Sequence, residues 1–319
     1  MTGASLVAEA TDNRWRDVDG VVLLDKPEGL TSNAALQRVR RAFRARKAGH
    51  TGSLDPLASG LLPICLGQAT KASGLLLDAD KTYRVRIALG ARTTTGDRAG
   101  EIAEIAPVPA LSTEAVRQSA AIFLGESTQV PPMFSALKHH GERLYRLARQ
   151  GIEVERPPRR VIIHRLEVLQ IGPEWLELEI VCSKGTYVRS LAEDIARACG
   201  TVGHVASLRR LALGPFGSPA MRTLEIIEQA APRPEELDSM LLPADEALPG
   251  LPAIRLGAVE EARILHGQPV ATTGPAALRV RMYGVDGRFL GVGRMSAEGR
   301  RLAPERIMID LSGGRAPRA

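Results

Sequence analysis

Aromatic side chains are scarce in this chain of 319 residues, which contains two Trp, four Tyr and five Phe. An aromatic residue in a polar stretch therefore calls for a specific reason, such as a stacking partner. The three cysteines, Cys65, Cys182 and Cys199, are odd in number and none lies in a CxxC spacing. This pattern argues against a disulfide framework or a zinc cage and favours a reducing compartment, so we expect a cytoplasmic protein.

Long apolar runs are also missing, and no stretch approaches the ~20 residues that span a bilayer. The first twenty residues mix acidic and small side chains and lack the apolar segment of a secretory signal. We therefore expect no membrane association.

Motifs for metals and nucleotide cofactors are absent as well. The six histidines form no HxxxH or HxH pair, and the sequence contains no phosphate-binding GxxxxGKS or GxxxxGKT, no GxGxxG and no GxSxG. Metal, nucleotide-cofactor and serine-hydrolase chemistry all lose support. We predict that the protein uses no cofactor and no metal.

Lysine is rare among the 42 basic residues, since six lysines leave 36 arginines. With 36 acidic residues the formal net charge is +6 and the sequence pI is 9.5, which favours a polyanionic partner. The planar guanidinium suits phosphates and base edges. Genomic base composition also enriches Arg, Ala and Gly, so the total by itself does not identify a partner.

Apolar periodicity predicts a buried strand over residues 20–24 and an amphipathic helix over 33–46, with Thr31 or Ser32 as its N-cap. Residues 38–47 hold six basic side chains and no acid, so their repulsion would be uncompensated without a visiting anion. The other patterns predict helices over 69–79, 113–124, 142–150 and 188–199, strands over 61–66, 81–90, 161–171 and 175–183, and two strands within 278–296 joined at Asp286-Gly287. Strands and helices without regular βαβ spacing indicate an α+β fold around a central mixed or antiparallel sheet flanked by helices.

An acid-rich stretch marks the expected domain boundary. Residues 225–247 contain seven acids and one Arg, which is typical of a surface region leading to a boundary near residue 250. We therefore expect a flexible tail over 1–19, a large domain over 20–250, a small basic β-rich domain over 251–312, and a tail over 313–319.

Asp55, within GHTGSLDPLASG, is the best candidate for chemistry. An arbitrary Asp-Pro is most often a turn residue. Here the aspartate stands between Leu54 and Leu57, so its carboxylate should emerge from an apolar wall, and His50 precedes it on a glycine-flanked segment. The apolar GLLPICLG that follows would hold the loop rigid, as positioned catalytic groups require.

Residues 49–71, GHTGSLDPLASGLLPICLGQATK, closely resemble the catalytic motif of the TruB family of bacterial tRNA pseudouridine synthases, which act on uridine 55 of the T loop. Further blocks match in order: LLDKPEGLTS at 23–32, DKTYRVRIALGARTTTGDRAG at 80–100, VPPMFSALKHHGERLYRLARQG at 130–151, CSKGTYVRSLAEDIA at 182–196 and HVASLRRL at 204–211. The sequence departs from the family at Thr94, where Asp is common, but it keeps Asp97. The resemblance implies a pseudouridine synthase fold with a C-terminal PUA-like domain.

The resemblance also implies roles for individual residues. Asp55 would be the catalytic aspartate, Tyr83 would stack on the flipped base and help to remove the C5 proton, and Arg189 would pair with Asp55. Supporting roles at the pocket would fall to Leu208, His50, Tyr187, Lys26 and Asp97. On pattern alone, Tyr83 could equally be an inward strand residue, Tyr187 and Arg189 could be structural, and His50 could be an ordinary loop histidine.

The expected partner is tRNA, held at its T stem-loop. By resemblance, an insertion at about 130–160 grips the RNA, with Phe134 and Lys138 among its contacts, while the basic helix segment 38–47 and the C-terminal domain contact the backbone. We expect a monomer. Two alternatives remain open: a tRNA-folding chaperone with a vestigial site, and a synthase for another RNA.

Overall fold

The computed structural model describes residues 15–275 and 277–309 of the chain. Within them lie nineteen β-strands, eight α-helices and three short 3-10 helices. The strands are β1 Gly20–Lys26, β2 Ala48–His50, β3 Ser59–Leu66, β4 Lys81–Leu89, β5 Ala91–Thr93, β6 Ile102–Ile105, β7 Gly125–Gln129, β8 Lys138–His139, β9 Glu142–Arg143, β10 Arg159–Gly172, β11 Trp175–Cys182, β12 Gly203–Leu213, β13 Phe216–Gly217, β14 Arg222–Thr223, β15 Ala253–Arg255, β16 Val270–Ala271, β17 Arg279–Tyr283, β18 Phe289–Met295 and β19 Arg301–Ile307. The helices are α1 Ser32–Phe43, α2 Ser73–Leu77, α3 Thr113–Ala121, α4 Leu144–Arg149, α5 Val188–Ala198, α6 Leu224–Ala230, α7 Pro234–Asp238 and α8 Ala258–Leu265, and the 3-10 helices are Gly67–Ala72, Ser218–Ala220 and Ala244–Ala247.

Ten strands form the main sheet. Eight of them follow the order β14-β1-β3-β12-β4-β11-β10-β7, while β2 pairs with β3 and β13 with β12. Strand β3 runs parallel to β12, and from β12 to β7 every neighbour is antiparallel. This mixed sheet, with helices packed against it, confirms the α+β class.

Strand β4 shows the alternation that its sequence predicts. Tyr83, Val85 and Ile87 are buried, whereas Arg84 and Arg86 between them are exposed. The buried side chains join the largest apolar core, to which β1, β3, β11, β12 and helices α1 and α5 also contribute. Period-2 burial on a central strand fixes which side chains reach the interior.

The central strand β12 was not predicted. Arg209 and Arg210 interrupt its apolar pattern, and each finds its partners far away in the chain. The Arg209 guanidinium binds both carboxylate oxygens of Asp25, at 2.9 and 2.7 Å. Arg210 is fully buried and donates to main-chain carbonyls. Because the partners of both arginines are far away in the sequence, no local pattern predicts that this segment is a strand.

Helix α1 begins as predicted, since the Thr31 hydroxyl accepts a hydrogen bond from the amide of Ala34 at 3.0 Å. It ends at Phe43, three residues earlier than predicted, because Arg44 adopts a left-handed conformation with φ of 50°. Residues 15–19 lie against this end: Val18 is buried, and the Arg16 amide donates to the Arg44 carbonyl. The expected loose tail therefore does not include residues 15–19, while residues 1–14 and 313–319 lie outside the described part.

The prediction that the charges within 38–47 are uncompensated is wrong for two of the six basic residues. Arg38 binds both carboxylate oxygens of Glu228, and Arg46 lies 3.0 Å from Asp17. Their acidic partners are supplied by α6 and by the segment before β1. Among the described residues no carboxylate pairs with Arg41 or Lys47, which are both exposed.

The interpretation of 225–247 as a surface region is also wrong in part. Leu224, Ile227 and Ala230 of α6, and Leu237 of α7, belong to the main core. The acids of α6 lie on the outer side, where Glu228 reaches Arg38. Helix α6 is therefore amphipathic, which the number of acidic residues alone does not indicate.

The second sheet has the order β15-β17-β18-β19-β16 and its own apolar cluster. Its hairpin turns at Asp286-Gly287 as predicted, with Gly287 at φ of 78°. A further cluster joins it to the main domain, with Val292 and Met308 packed beside Leu248. The Lys71 ammonium donates to the Ile307 carbonyl at 2.6 Å.

None of the described helices is long and apolar enough to cross a bilayer.

Gly60 permits β12 to approach β3, so Gly60→Ala should be strongly destabilising. A Cβ there would lie 2.3 Å from the Arg210 carbonyl oxygen, and the residue has φ of 98°. We expect a loss of about 3 kcal/mol or more in unfolding free energy, measured by urea denaturation, from steric overlap added to backbone strain. Gly29→Ala is the matched control, because Gly29 has φ of 89° but open space around it. Equal losses in the two variants would refute the close-approach explanation.

Candidate active site

The loop between β2 and β3 carries Asp55. The Asp55 carbonyl accepts the Ala58 amide at 3.0 Å, which closes a turn with Pro56 in its second position. Leu54 and Leu57 on either side are 5% and 9% exposed, whereas the Asp55 side chain keeps 42% of its surface accessible. The carboxylate thus emerges from an apolar wall, as the sequence predicts.

Three hydrogen bonds from Ser32, at the start of α1, and from Gly29, just before it, fix this loop. The buried Ser32 hydroxyl accepts from the Leu54 amide at 2.7 Å and donates to the Leu54 carbonyl at 2.9 Å. Gly29, in the β1–α1 connection, donates its amide to the Pro56 carbonyl at 2.8 Å. The main chain on both sides of Asp55 is therefore held by hydrogen bonds, which limits the positions open to its carboxylate.

Arg189, in the first turn of α5, is the cation beside Asp55. Its Nε lies 2.9 Å from Asp55 Oδ2, while Nη1 and Nη2 donate to the carbonyls of Thr95 and Phe134 at 2.8 and 2.7 Å. The guanidinium is thereby shared between the Asp55 loop, the β5–β6 connection and the β7–β8 connection. Burial raises the pKa of Asp55, and the Arg189 charge opposes that rise and favours the ionised carboxylate.

Asp97 stands behind Arg189 and shapes the β5–β6 connection. One carboxylate oxygen accepts from the Thr95 hydroxyl at 2.7 Å and from the Ala99 amide at 3.0 Å. The other lies 3.9 Å from Arg189 Nη1. A main-chain bridge to Val205 ties the connection to β12. Asp97 therefore orders the segment whose carbonyl holds Arg189.

Tyr83 and Leu208 form one wall of the site. They lie on the neighbouring strands β4 and β12, on the sheet face that carries the main core, and are 7% and 8% exposed. Burial is the main cause that raises the pKa of the Tyr83 hydroxyl, the Arg210 charge opposes that rise, and the Asp55 charge adds to it. The structure thus places an aromatic ring and its hydroxyl beside the Asp55 loop.

Arg210 is a residue of this site that the sequence analysis missed. Its Nε donates to the Leu61 carbonyl at 2.7 Å and its Nη2 to the Gly52 carbonyl at 3.0 Å. Gly52 lies in the loop that leads to Asp55. The signal available in the sequence was an arginine inside the largely apolar run 203–213, which by itself could equally mark a loop.

Lys26 lies close to the charges of Asp55 and Arg210, and His50 lies close to the charge of Arg210. Lys26 is fully buried, and its ammonium donates to the carbonyls of Pro27 and Leu30 at 2.8 and 2.7 Å. Burial lowers the pKa of Lys26 to about 8, against the opposing influence of Asp55. Burial and then the Arg210 charge lower the pKa of His50, so its imidazole is neutral near pH 7. Its buried Nδ1 has no hydrogen-bond partner among the described residues.

The three remaining predicted site residues are Tyr187, Phe134 and Lys138. Gln129 binds both the amide and the carbonyl of Tyr187, at 2.7 and 3.0 Å, and so holds the start of α5. Phe134 reaches the site through its carbonyl on Arg189. Lys138 is exposed in the β8–β9 hairpin, and no contact among the described residues joins it to Asp55.

The fold and the site together define a pseudouridine synthase. Residues 40–188 match the family model described as "TruB family pseudouridylate synthase (N terminal domain)". Residues 189–249 match "tRNA pseudouridylate synthase B C-terminal domain", and residues 252–308 match "Pseudouridine synthase II TruB, C-terminal". The chain belongs to the TruB family, which confirms the resemblance seen in its motifs.

Similar proteins cover almost the whole chain. The tRNA pseudouridine synthase B of Nitrosococcus oceani is 50% identical over 93% of this chain and 97% of its own. That of Hydrogenovibrio crunogenus is 48% identical over 92% and 95%. A chain from the "Crystal Structure of a Cbf5-Nop10-Gar1 Complex" superposes with a TM-score of 0.70 and 25% identity, over 91% of this chain and 85% of that one. Each of these three matches thus covers more than nine tenths of this chain.

Proposed function

We propose that this tRNA pseudouridine synthase isomerises uridine 55 in the T loop of tRNA, with Asp55 as its catalytic residue. The observation that carries the proposal is the 2.9 Å contact between Asp55 and the buried Arg189. A vestigial site would have no need to keep an ionisable carboxylate at an accessible point beside a buried arginine.

The reaction breaks the bond from N1 of the base to C1′ of the ribose and rejoins the base through C5. The accessible Asp55 carboxylate acts on the ribose, by attack on C1′ or by removal of the C2′ proton, and either role needs its ionised form. Arg189 favours that form and fixes its direction. Tyr83 stacks on the base and takes part in removing the C5 proton, and Leu208 closes the wall beside it.

The target base must leave its stack before it can react. Flipping costs a few kcal/mol, and stacking on Tyr83 offsets about 1–3 kcal/mol of it. The neutral His50, at the end of β2, fills the space that the nucleotide leaves, while Lys26, Tyr187 and Asp97 keep the walls in place. These groups are all protein side chains, so the proposal includes no cofactor and no metal.

The RNA would be held at three places outside this pocket. They are the exposed cations at the end of α1, the insertion at about 130–160 with Phe134 and Lys138, and the second sheet, for which we propose a PUA-like role over residues 251–312. Cationic side chains in these parts can bind the phosphate backbone, and aromatic side chains can stack on splayed loop bases. We further propose that the protein acts as a monomer in the cytoplasm.

The function is tested with an isolated, unmodified T stem-loop RNA that carries tritium at C5 of its uridines. We expect tritium release equal to one uridine per RNA, because the pseudouridine product has lost the C5 hydrogen of the target base. An RNA with cytidine at position 55 is the control and should release none. Tight binding without release would instead indicate an RNA-folding protein, and release from the control RNA would contradict the choice of uridine 55.

Contacts of phosphates with Arg41 of α1 and with Lys47, four residues beyond its end, predict a measurable salt dependence. In Arg41→Ala/Lys47→Ala, the slope of log K for tRNA binding against log salt should become shallower by about 2, or about 1 for each phosphate contact. Filter binding at several salt concentrations measures it.

Arg38→Ala is the control for this double variant, because Glu228 already neutralises Arg38. We expect its slope to match that of the unaltered protein. An equal change in both variants, or a flat salt response of the unaltered protein, would refute contacts between α1 and the RNA backbone.

A further inference from the structure

Arg210 is a fully buried cation without a carboxylate partner among the described residues. Two main-chain carbonyls, those of Leu61 and Gly52, accept its Nε and Nη2. A buried charge that is satisfied only by neutral groups costs several kcal/mol compared with an apolar side chain of similar size. An apolar side chain would therefore cost less at this position, so the arginine calls for a reason beyond its bonds to these carbonyls.

The neighbouring Arg209 shows how different the two sides of β12 are. Its guanidinium binds Asp25 on the opposite face of the sheet and is 39% exposed. Arg210 is paired directly with Tyr83 across β12 and β4, so both side chains leave the sheet on the same face. The two residues are therefore neighbours, and the Arg210 charge opposes the rise in the pKa of the Tyr83 hydroxyl that burial causes.

Arg210 thereby lies between two parts of the site that must act in sequence. Through the Gly52 carbonyl it holds the loop three residues before Asp55, and it lies directly opposite Tyr83 on the neighbouring strand. Gly52 adopts φ of 71°, a left-handed conformation that favours glycine at the point where the loop meets Arg210. A single rigid group with five donors can hold two elements in a fixed relation, which a lysine cannot.

We propose that Arg210 is a positioning residue for removal of the C5 proton, aligning the Tyr83 oxygen with the rearranged base and stabilising the negative charge that this oxygen develops. The inference rests on the proposed function. In this step the C5–H bond breaks and its electron pair forms the C5–C6 double bond. The electrons of the C6–N1 double bond move to N1, which takes a proton from solvent.

The proton balance closes at Tyr83. Its oxygen receives the C5 proton as the hydroxyl's own proton leaves to solvent, so the oxygen carries negative charge during the transfer. A hydrogen bond from a cation is stronger to a charged acceptor than to a neutral one. Arg210 therefore stabilises this step more than the preceding ground state, which is the condition for an effect on rate.

The test compares Arg210→Gln with Arg209→Gln on tRNA whose uridines carry hydrogen or deuterium at C5. For Arg210→Gln we expect kcat to fall by about 10²-fold with a much smaller change in KM, and the primary deuterium isotope effect to exceed that of the unaltered protein, because C5 deprotonation becomes rate-limiting. Arg209→Gln should keep the isotope effect of the unaltered protein, since its side chain lies on the opposite face. A merely structural role of Arg210 would lower the rate and leave the isotope effect unchanged.

Arg210→Lys provides a second variant if the glutamine disturbs folding, since it keeps the buried charge but cannot reach both acceptors. We expect a decrease in kcat of about tenfold and the same rise in the isotope effect. An isotope effect equal to that of the unaltered protein in both variants would overturn the inference. Absence of any C5 hydrogen release by the unaltered protein would instead overturn the proposed function, so the two failures are distinguishable.

Discussion

Replacing Asp55 by Asn is expected to lower the rate of pseudouridine formation by about 10³-fold or more while tRNA binding persists. Removal of a nucleophile or general base typically costs about that factor, or about 4 kcal/mol of transition-state stabilisation. Asparagine has the shape of aspartate, and its amide oxygen can still accept a hydrogen bond from Arg189. The loop contacts from Ser32 and Gly29 involve main-chain groups and do not depend on the carboxylate.

Single-turnover conversion of a T stem-loop measures this loss, and the melting temperature checks that the variant is folded. Asp78→Asn is the matched control, because Asp78 is an exposed carboxylate paired only at the surface with Lys184. We expect the control to convert RNA at the rate of the unaltered protein. An appreciable rate in a folded Asp55→Asn variant would remove Asp55 from the catalytic role.

Tyr83→Phe is expected to have the second largest effect, a decrease of about 10²–10⁴-fold in kcat with tRNA affinity nearly unchanged. Phenylalanine retains the stacking surface on β4 and loses the hydroxyl, whose pKa responds to the charges of Arg210 and Asp55. The base should therefore still be flipped and held, but the C5 proton should leave slowly. Rapid-quench measurement of tritium release from C5, beside a binding titration, separates the two effects.

Tyr283→Phe is the control for this substitution. Its hydroxyl donates a hydrogen bond to the Asp245 carboxylate at 2.8 Å, but the residue lies in the second sheet. Activity near that of the unaltered protein is expected there. If Tyr83→Phe also turned over at full rate, proton removal would have to be assigned to another group.

The sequence predicted those parts of the fold that depend on local patterns. Strand β4 alternates between buried and exposed side chains, helix α1 begins at a Thr31 cap, and the hairpin of the second sheet turns at Asp286-Gly287. Each of these signals lies within a few residues, because strand and helix periods and turn conformations are local properties. The apolar neighbours of Asp55 likewise predicted where its carboxylate points.

The remaining features depend on contacts between distant parts of the chain. Arg210 sits in a central strand because carbonyls about 150 residues earlier satisfy it, as its bond to Leu61 shows. The Arg38–Glu228 pair neutralises a helix that looked uncompensated, across 190 positions. No pattern within a short window can contain such a partner. The sequence therefore located the motifs of the site, whereas the assembly of Asp55, Arg189, Tyr83 and Arg210 required the three-dimensional structure.

The most direct measurement for the central claim is a map of pseudouridine in unmodified tRNA after incubation with the pure protein and no added cofactor. We predict near-complete conversion at position 55, no other modified uridine, and no conversion by Asp55→Asn under the same conditions. Pseudouridine at other positions with none at 55, or no pseudouridine at all with a folded protein that binds the tRNA, would contradict the account.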